Sequence, residues 1–201
     1  MSETASVSAL GAAGDTTAAH ADTTAAHADT LRYPIGQHQR REDYSDAERR
    51  ALLKRLEAQP TVLRAAVDAL TDPQFDTAYR PGGWSVRQLV HHMADSHMNM
   101  YMRVKLGLTE HEPTVKTYDQ DAWVQLADIS SVAPAVSLAL FELTHQRILA
   151  VLEAISPSDF RRGVMHPENG RMTVDDIVAL YAWHGDHHIA HIRNLRERNG
   201  W

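Results

Sequence analysis

No cysteine occurs in the 201 residues of the chain. That absence removes disulfides, thiolate metal ligands, iron–sulfur clusters and a cysteine nucleophile. A basic surplus is also missing: Lys and Arg total 20 against 26 Asp and Glu, a net charge of −6. A nucleic-acid binder needs a basic stripe to neutralise phosphates, so that class of partner is not expected. No apolar run approaches the ~20 residues that span a bilayer. The N-terminus shows neither the basic nor the apolar region of a secretory signal. The expectation is a cytoplasmic protein without a membrane or nucleic-acid partner. Motif chemistry is thin as well: there is no H-E-x-x-H, no phosphate-cradling glycine loop and no G-x-S-x-G. Glu142-x-x-His145 matches half of a di-iron bundle motif, but no second Glu-x-x-His accompanies it.

What the chain does have is ordinary core-forming composition, 43% hydrophobic and 23% charged, together with 13 histidines. Residues 1–30 stand apart. They are Ala, Thr, Ser, Asp and Gly with a direct repeat, TTAAHAD, at 16–22 and 23–29. Two seven-residue copies do not build a solenoid, and the composition reads as a disordered tail that takes His20 and His27 with it. One domain is expected over residues 31–201.

Within that domain the pattern is helical. Ser45-Asp46-Ala47-Glu48 is a capping box ahead of Leu52, Leu53 and Leu56. Pro60 is expected to kink or restart the helix it opens, which continues through Leu63, Val67 and Leu70 to Asp72-Pro73. Ser85-Val86-Arg87-Gln88 is a second capping box, opening a helix to about Leu108. Residues 122–127 read as a short helix. Pro134 suits the first turn of a third long helix, through Phe141 and Ile148 to Ile155. An irregular stretch with His166-Pro167 and Asn169-Gly170 follows, and Thr173 caps a last helix to about Arg198. Four long helices and no alternating strands predict an all-α four-helix bundle. The two halves echo each other: Phe75 and then Ser85-Val86-x-Gln88-Leu89-Val90, Phe160 and then Thr173-Val174-x-Asp176-Ile177-Val178.

The histidines then ask for a site. His184/His188 and His187/His191 both have the i, i+4 spacing that lets two imidazoles share a metal. Phase separates them. At ~100° per residue, Val174, Ile177, Tyr181, Ile189, Ile192 and Leu195 form an apolar stripe that includes His188 and has His184 at its edge. His187 and His191 are expected at the rim or in solvent. Spacing and phase alone leave 184/188 balanced between metal binding and an ordinary structural role. On the second helix a polar row, Gln88, His92, Ser96, Asn99 and Arg103, runs beside the apolar residues. His92 adjoins the stripe more closely than His91, although phase leaves both open as a third ligand. His38, His97, His111, His145 and His166 read as surface or hydrogen-bonded core residues. Three histidines without cysteine suit zinc or nickel, with coordination positions left open.

At these residues the chain resembles a known family. The run from Gly82-Gly83-Trp84-Ser85 through His91-His92-Met93-Ala94-Asp95-Ser96-His97-Met98-Asn99 is similar to the signature helix of the YfiT-type branch of the DinB-like superfamily. Tyr181-x-Trp183-His184-x-x-x-His188-Ile189-x-His191-Ile192 resembles its C-terminal metal helix, and Tyr33-Pro34-Ile35-Gly36 and Gly200-Trp201 fit the same branch. The resemblance covers residues 31–201. It implies a four-helix bundle of up-down-down-up type, commonly a homodimer, with a divalent metal on His92, His184 and His188. Members are described as metal-dependent hydrolases, and relatives in the superfamily as bacillithiol S-transferases or mycothiol-dependent isomerases.

The leading expectation is an enzyme whose metal binds a low-molecular-weight thiol, bacillithiol-like, and lowers its pKa for attack on a small electrophile. Arg103, Asn99 and Gln88 are the candidate contacts to the thiol or its co-substrate. The alternative is hydrolysis of an amide or ester by metal-activated water. Asp95 is one turn from His92 but is phased away from the stripe, and no Glu adjoins the ligand pair, which tilts the balance toward thiol chemistry. A third reading is a non-catalytic metal-binding stress protein.

Overall fold

The computed structural model describes residues 30–201; the repeat, His20 and His27 lie outside the described residues. Four long helices carry the fold: α1 (Asp46–Val67), α2 (Val86–Thr109), α3 (Pro134–Leu152) and α4 (Val174–Asn199). Their starts lie where local chemistry demands. Ser45 and Glu48, Ser85 and Gln88, and Thr173 and Asp176 close reciprocal capping boxes, and Pro134 occupies a first turn. Asp175 and Asp176 sit at the positive end of the α4 dipole, Arg196 and Arg198 at its negative end. Gly200 takes the left-handed conformation (φ 67°) that stops it. The short helix expected at residues 122–127 is two pieces, Gln120–Trp123 and Ala127–Ser131.

Neighbours in the bundle are not neighbours in sequence. Helix α1 packs chiefly on α3 and α4, and so does α2. The helices joined by the two long half-loops, α1 to α2 and α3 to α4, are therefore diagonal partners.

The echo between halves has a structural counterpart. In the first half a short helix, Asp72–Phe75, leads to a bridge between Ala78 and Ser85, and the Val86 amide donates to Thr77 O. In the second half a 3-10 turn, Asp159–Arg161, leads to an antiparallel hairpin, and the Val174 amide donates to Arg162 O. That hairpin pairs β1 (Gly163–His166) with β2 (Gly170–Thr173). It corrects the expectation of an irregular stretch without strands. Asn169-Gly170 was the available sign, since Gly170 has φ 66°. At Gly163 a side chain is impossible, because a Cβ would lie 2.1 Å from Met172 O.

Two apolar clusters fill the bundle ends. One gathers Leu56, Met100, Val104, Ile148, Leu152 and Ile177; the other gathers Leu63, Leu89, Met93, Phe141, Ile189 and Ile192. Between them every helix contributes buried polar residues, Gln59 from α1, Ser96 and His97 from α2, Thr144 and His145 from α3 and His188 from α4, with the half-buried His184 beside them. Gln59 donates to Ala182 O (2.8 Å) and to Asp186 (3.0 Å), and a Cβ on Gly185 would run into its amide. Pro60 does not restart α1, which runs unbroken through it. By length and composition α3 alone among the described helices is apolar enough to cross a membrane. Here its Phe141, Ile148 and Leu152 pack in the core, while Val136, Leu140 and Leu143 form an exposed stripe.

Two ion pairs tie α1 to α4, an exposed one between Arg55 and Asp186 and a buried one just below the caps. Arg49 grips Asp175 with two bonds, Nε to Oδ1 (2.8 Å) and Nη2 to Oδ2 (2.7 Å), and both side chains are largely buried. Removing Asp175 leaves the buried Arg49 with only the exposed Asp46, at 2.9 Å, to balance it. Asp175→Asn is expected to cost on the order of 3 kcal/mol of stability, read as a lower denaturant midpoint with the helical signal of the native state unchanged.

Candidate metal centre

Helices α2 and α4 bring three imidazoles together. His92 Nε2 lies 3.2 Å from His184 Nε2, and His188 Nε2 lies 3.1 Å from the same atom. Bonds of ~2.0–2.1 Å in a tetrahedron separate ligand nitrogens by roughly 3.4 Å, so the three atoms are spaced as a shared ion requires. Among the described residues this group contains no carboxylate, and the donor set is the imidazole one that zinc, nickel or copper accepts. The residues present therefore fit a divalent first-row metal. Trp84 covers the cluster, with its ring 4.7 Å from that of His92 and its indole N–H donating to Asp121.

His91 goes elsewhere. Its Nδ1 is 2.7 Å from Ser137 Oγ on α3, so of the doublet it is His92 that reaches the cluster.

A second set of bonds fixes how His184 presents itself. Leu56 O lies in α1 opposite Pro60, which has no N–H to give it. His145 Nδ1 is 2.8 Å from that carbonyl and must donate to it. A neutral His145 then has a lone pair on Nε2, which accepts from His97 Nδ1 at 2.8 Å. His97 Nε2 in turn accepts from His184 Nδ1 at 3.3 Å. Neutral rings leave only this assignment, and it directs the lone pair of His184 Nε2 into the cluster. His97 and His145 are hydrogen-bonded core residues, as expected, but they form a line from a helix carbonyl to the cluster.

His187 and His191, expected at the rim or in solvent, lie inside instead. Both are buried, 8% and 3% exposed, with their Nε2 atoms 3.1 Å apart. A helical wheel counts only what the bundle covers. Here Trp183 stacks on His187 and donates to Gly36 O, Tyr33 lies beside it, and the Tyr79 ring lies 4.1 Å from that of His191. The segment before α1 and the loop before α2 thus fold over the face expected to be open.

Two cavities of about 400 Å³ each meet at His184 and Gln120. One is lined by Arg32, Tyr33, Trp84, His187 and His188, the other by Ser96, Arg103, Tyr118, His166 and Tyr181. The candidate contact residues divide accordingly. Arg103 faces the second cavity, braced by Tyr181 Oη and Lys116 O, both at 3.1 Å. Gln88 instead bonds its cap and Val124 O, and the Asn99 amide N–H turns back to Asp95 O; neither residue lines either cavity. His166, read as an ordinary residue, holds the hairpin turn through Nδ1 and also borders the second cavity. Nothing local in the sequence signals that role, since it depends on the missed hairpin. Burial, helped by Asp128, pushes the Asp95 carboxyl up to about 6.

The comparisons with known proteins agree with this architecture. The DinB superfamily pattern matches residues 55–192. A Bacillus subtilis (strain 168) protein named "Putative metal-dependent hydrolase YfiT" is 46% identical over 172 residues, 85% of this chain and 97% of that one. An Oceanobacillus iheyensis protein with the same kind of name is 41% identical over 170 residues, 85% of this chain and 98% of its own. The solved structure of YfiT from Bacillus subtilis superposes with a TM-score of 0.83 over 86% of this chain and 99% of its own. It is described as "a probable metal-dependent hydrolase with an unusual four-helix bundle topology". The chain belongs to the DinB superfamily, and its fold is the four-helix bundle of that YfiT structure.

Burial holds these imidazoles neutral. It lowers His92, His145 and His187 to about 4 and His191 to about 3, the last also under His187, Arg80 and Arg198. In the unfolded chain they titrate near ~6.5. Unfolding between these values takes up protons, so this contribution to stability is complete above ~6.5 and is lost as pH falls toward 4. Each such histidine adds a slope of about 1.4 kcal/mol per pH unit in that window. The Tm of the metal-free protein should drop steeply between pH 7 and pH 5, with more than one proton taken up on unfolding; a flat profile would contradict the burial described.

Proposed function

We propose that this DinB-superfamily chain is a metal-dependent enzyme that transfers a low-molecular-weight thiol to a small electrophile, with His92, His184 and His188 holding a divalent ion such as zinc or nickel. The observation that carries the reading is that His184 borders two cavities and His188 one of them, so the cluster they form with His92 is reached from two directions. Two co-substrates need two approaches to one centre; a hydrolase needs one approach and water. The bound ion would supply Lewis acidity, lowering the pKa of the group that it holds.

The remaining work falls to this chain's residues. His97 keeps His184 in the tautomer that offers Nε2. Arg103, with Nη1 on Tyr181 and Nη2 on Lys116 O, presents a fixed guanidinium to a carboxylate or phosphate of the thiol or its co-substrate. Trp84 lies over His92 and limits water at the cluster.

Hydrolysis of an amide or ester is the second reading. It draws on the relatives' names and on Asp119 and Glu168, which line the cavity of Arg103 and could handle a proton. The expected homodimer also stands as a proposal, with the apolar stripe of Val136, Leu140 and Leu143 as its contact.

Zinc- or nickel-loaded protein is incubated with an electrophile and bacillithiol, mycothiol or glutathione in turn. Metal-dependent loss of one thiol, absent in His184→Ala, supports transfer. Unchanged thiol together with turnover of an ester or amide panel assigns hydrolysis instead. His184→Ala and His188→Ala should each lose tightly bound metal. His97→Phe, which keeps the ring but removes the acceptor, should weaken metal binding about 10–100-fold with helicity intact, measured by competition with a chromophoric chelator. Arg103→Gln should raise KM while metal content is unchanged.

A further inference from the structure

His187 and His191 have no part in the proposed reaction, yet with His188 they form a second cluster. Its three rings are each at least nine-tenths buried, and one nitrogen of each lies within 4.8 Å of the others. The Nε2 atoms of His187 and His191 are 3.1 Å apart, the same separation as in the first cluster. His188 belongs to both groups. Its Nε2 is directed to His184, which leaves Nδ1 for the second group, and that Nδ1 is buried with no hydrogen-bond partner. The Nδ1 of His187 is likewise buried and unpartnered. A buried ring nitrogen left without a partner is costly, and a cation held by the three gathered imidazoles would supply the partner that the surrounding chain does not.

We propose that His187, His188 and His191 form a second transition-metal site beside the first, joined to it through His188, whose Nδ1 proton passes to solvent when both ions bind so that its imidazolate serves both. The ligand class follows from the donors. Imidazole nitrogens without a carboxylate suit zinc, copper or nickel and do not suit calcium or magnesium, which require oxygen. The guanidinium of Arg198 donates to Tyr79 O, and the Tyr79 ring packs on His191. The Arg80 guanidinium lies over the same ring, 5.5 Å from its centroid. These two positive charges oppose a cation, so the second site binds more weakly than the first. Access runs through the cavity lined by Arg32, Tyr33 and Trp183, which His187 and His188 border.

The test is equilibrium stoichiometry, which is independent of turnover. Full-length protein freed of metal with a chelator is titrated with zinc at buffered free concentrations, and bound metal is counted by mass spectrometry. Wild type is expected to take up two ions per chain in two steps, the tighter first. His191→Gln and His187→Gln should each abolish the weaker step and keep the tighter one, while His184→Ala should do the reverse. Either glutamine variant alone decides the matter if the other fails to fold. Saturation of wild type at one ion overturns the proposal, as does a second ion that survives both glutamine substitutions. If His184→Ala leaves both steps intact, the ligand assignment of the first site fails while the second site stands.

Discussion

A buried imidazole is tolerable only if each ring nitrogen finds a use, and most of this bundle is arranged to meet that requirement. The line from Leu56 O through His145 and His97 to His184 starts at a carbonyl that Pro60 cannot satisfy. One missing N–H in α1 therefore sets the tautomer of three rings on three other helices. The polar layer that they form divides the core into two apolar clusters, so the helix packing at each end holds the layer in place.

The unusual adjacency of the helices serves the same layer. Because α1 and α2 are diagonal partners, both of the α2 flanks are occupied by the second half of the chain. His92 can then meet α4 while His97 meets α3, and a single helix addresses the cluster and its support together. The loops that cross the bundle ends are used as well. Trp84 closes over His92 and Tyr79 over His191, each from the turn that leads into α2.

Much of the fold was legible in the residues. Capping boxes at Ser45, Ser85 and Thr173 and the proline at 134 are local signals, and the structure follows them because the groups that satisfy a helix end lie within three residues of it. The echo between Phe75-to-Ser85 and Phe160-to-Thr173 was legible too, although the hairpin within the second copy was not. At the site, helical phase placed His184 and His188 inward, where the structure brings them to His92. It misplaced His187 and His191 because their cover comes from Tyr33, Gly36 and Tyr79, residues more than a hundred positions away in sequence. The fates of Gln88 and Asn99 were hidden for a simpler reason. A polar side chain in a row beside a cavity can spend its hydrogen bonds on a cap or on its own helix, and no periodicity reveals that choice.

The separation of 92 residues between His92 and His184 has a mechanical meaning. The first half of the chain holds one member of the cluster and the second half holds the other two. An ion bound there would act as a rivet between the two halves of the chain, stabilising their docking far more than either half alone. Isolated halves would keep their caps and turns but could not present the full set of donors. Metal capture would then report that the two halves had met in the correct register, so the same contact that equips the site would also proofread the fold.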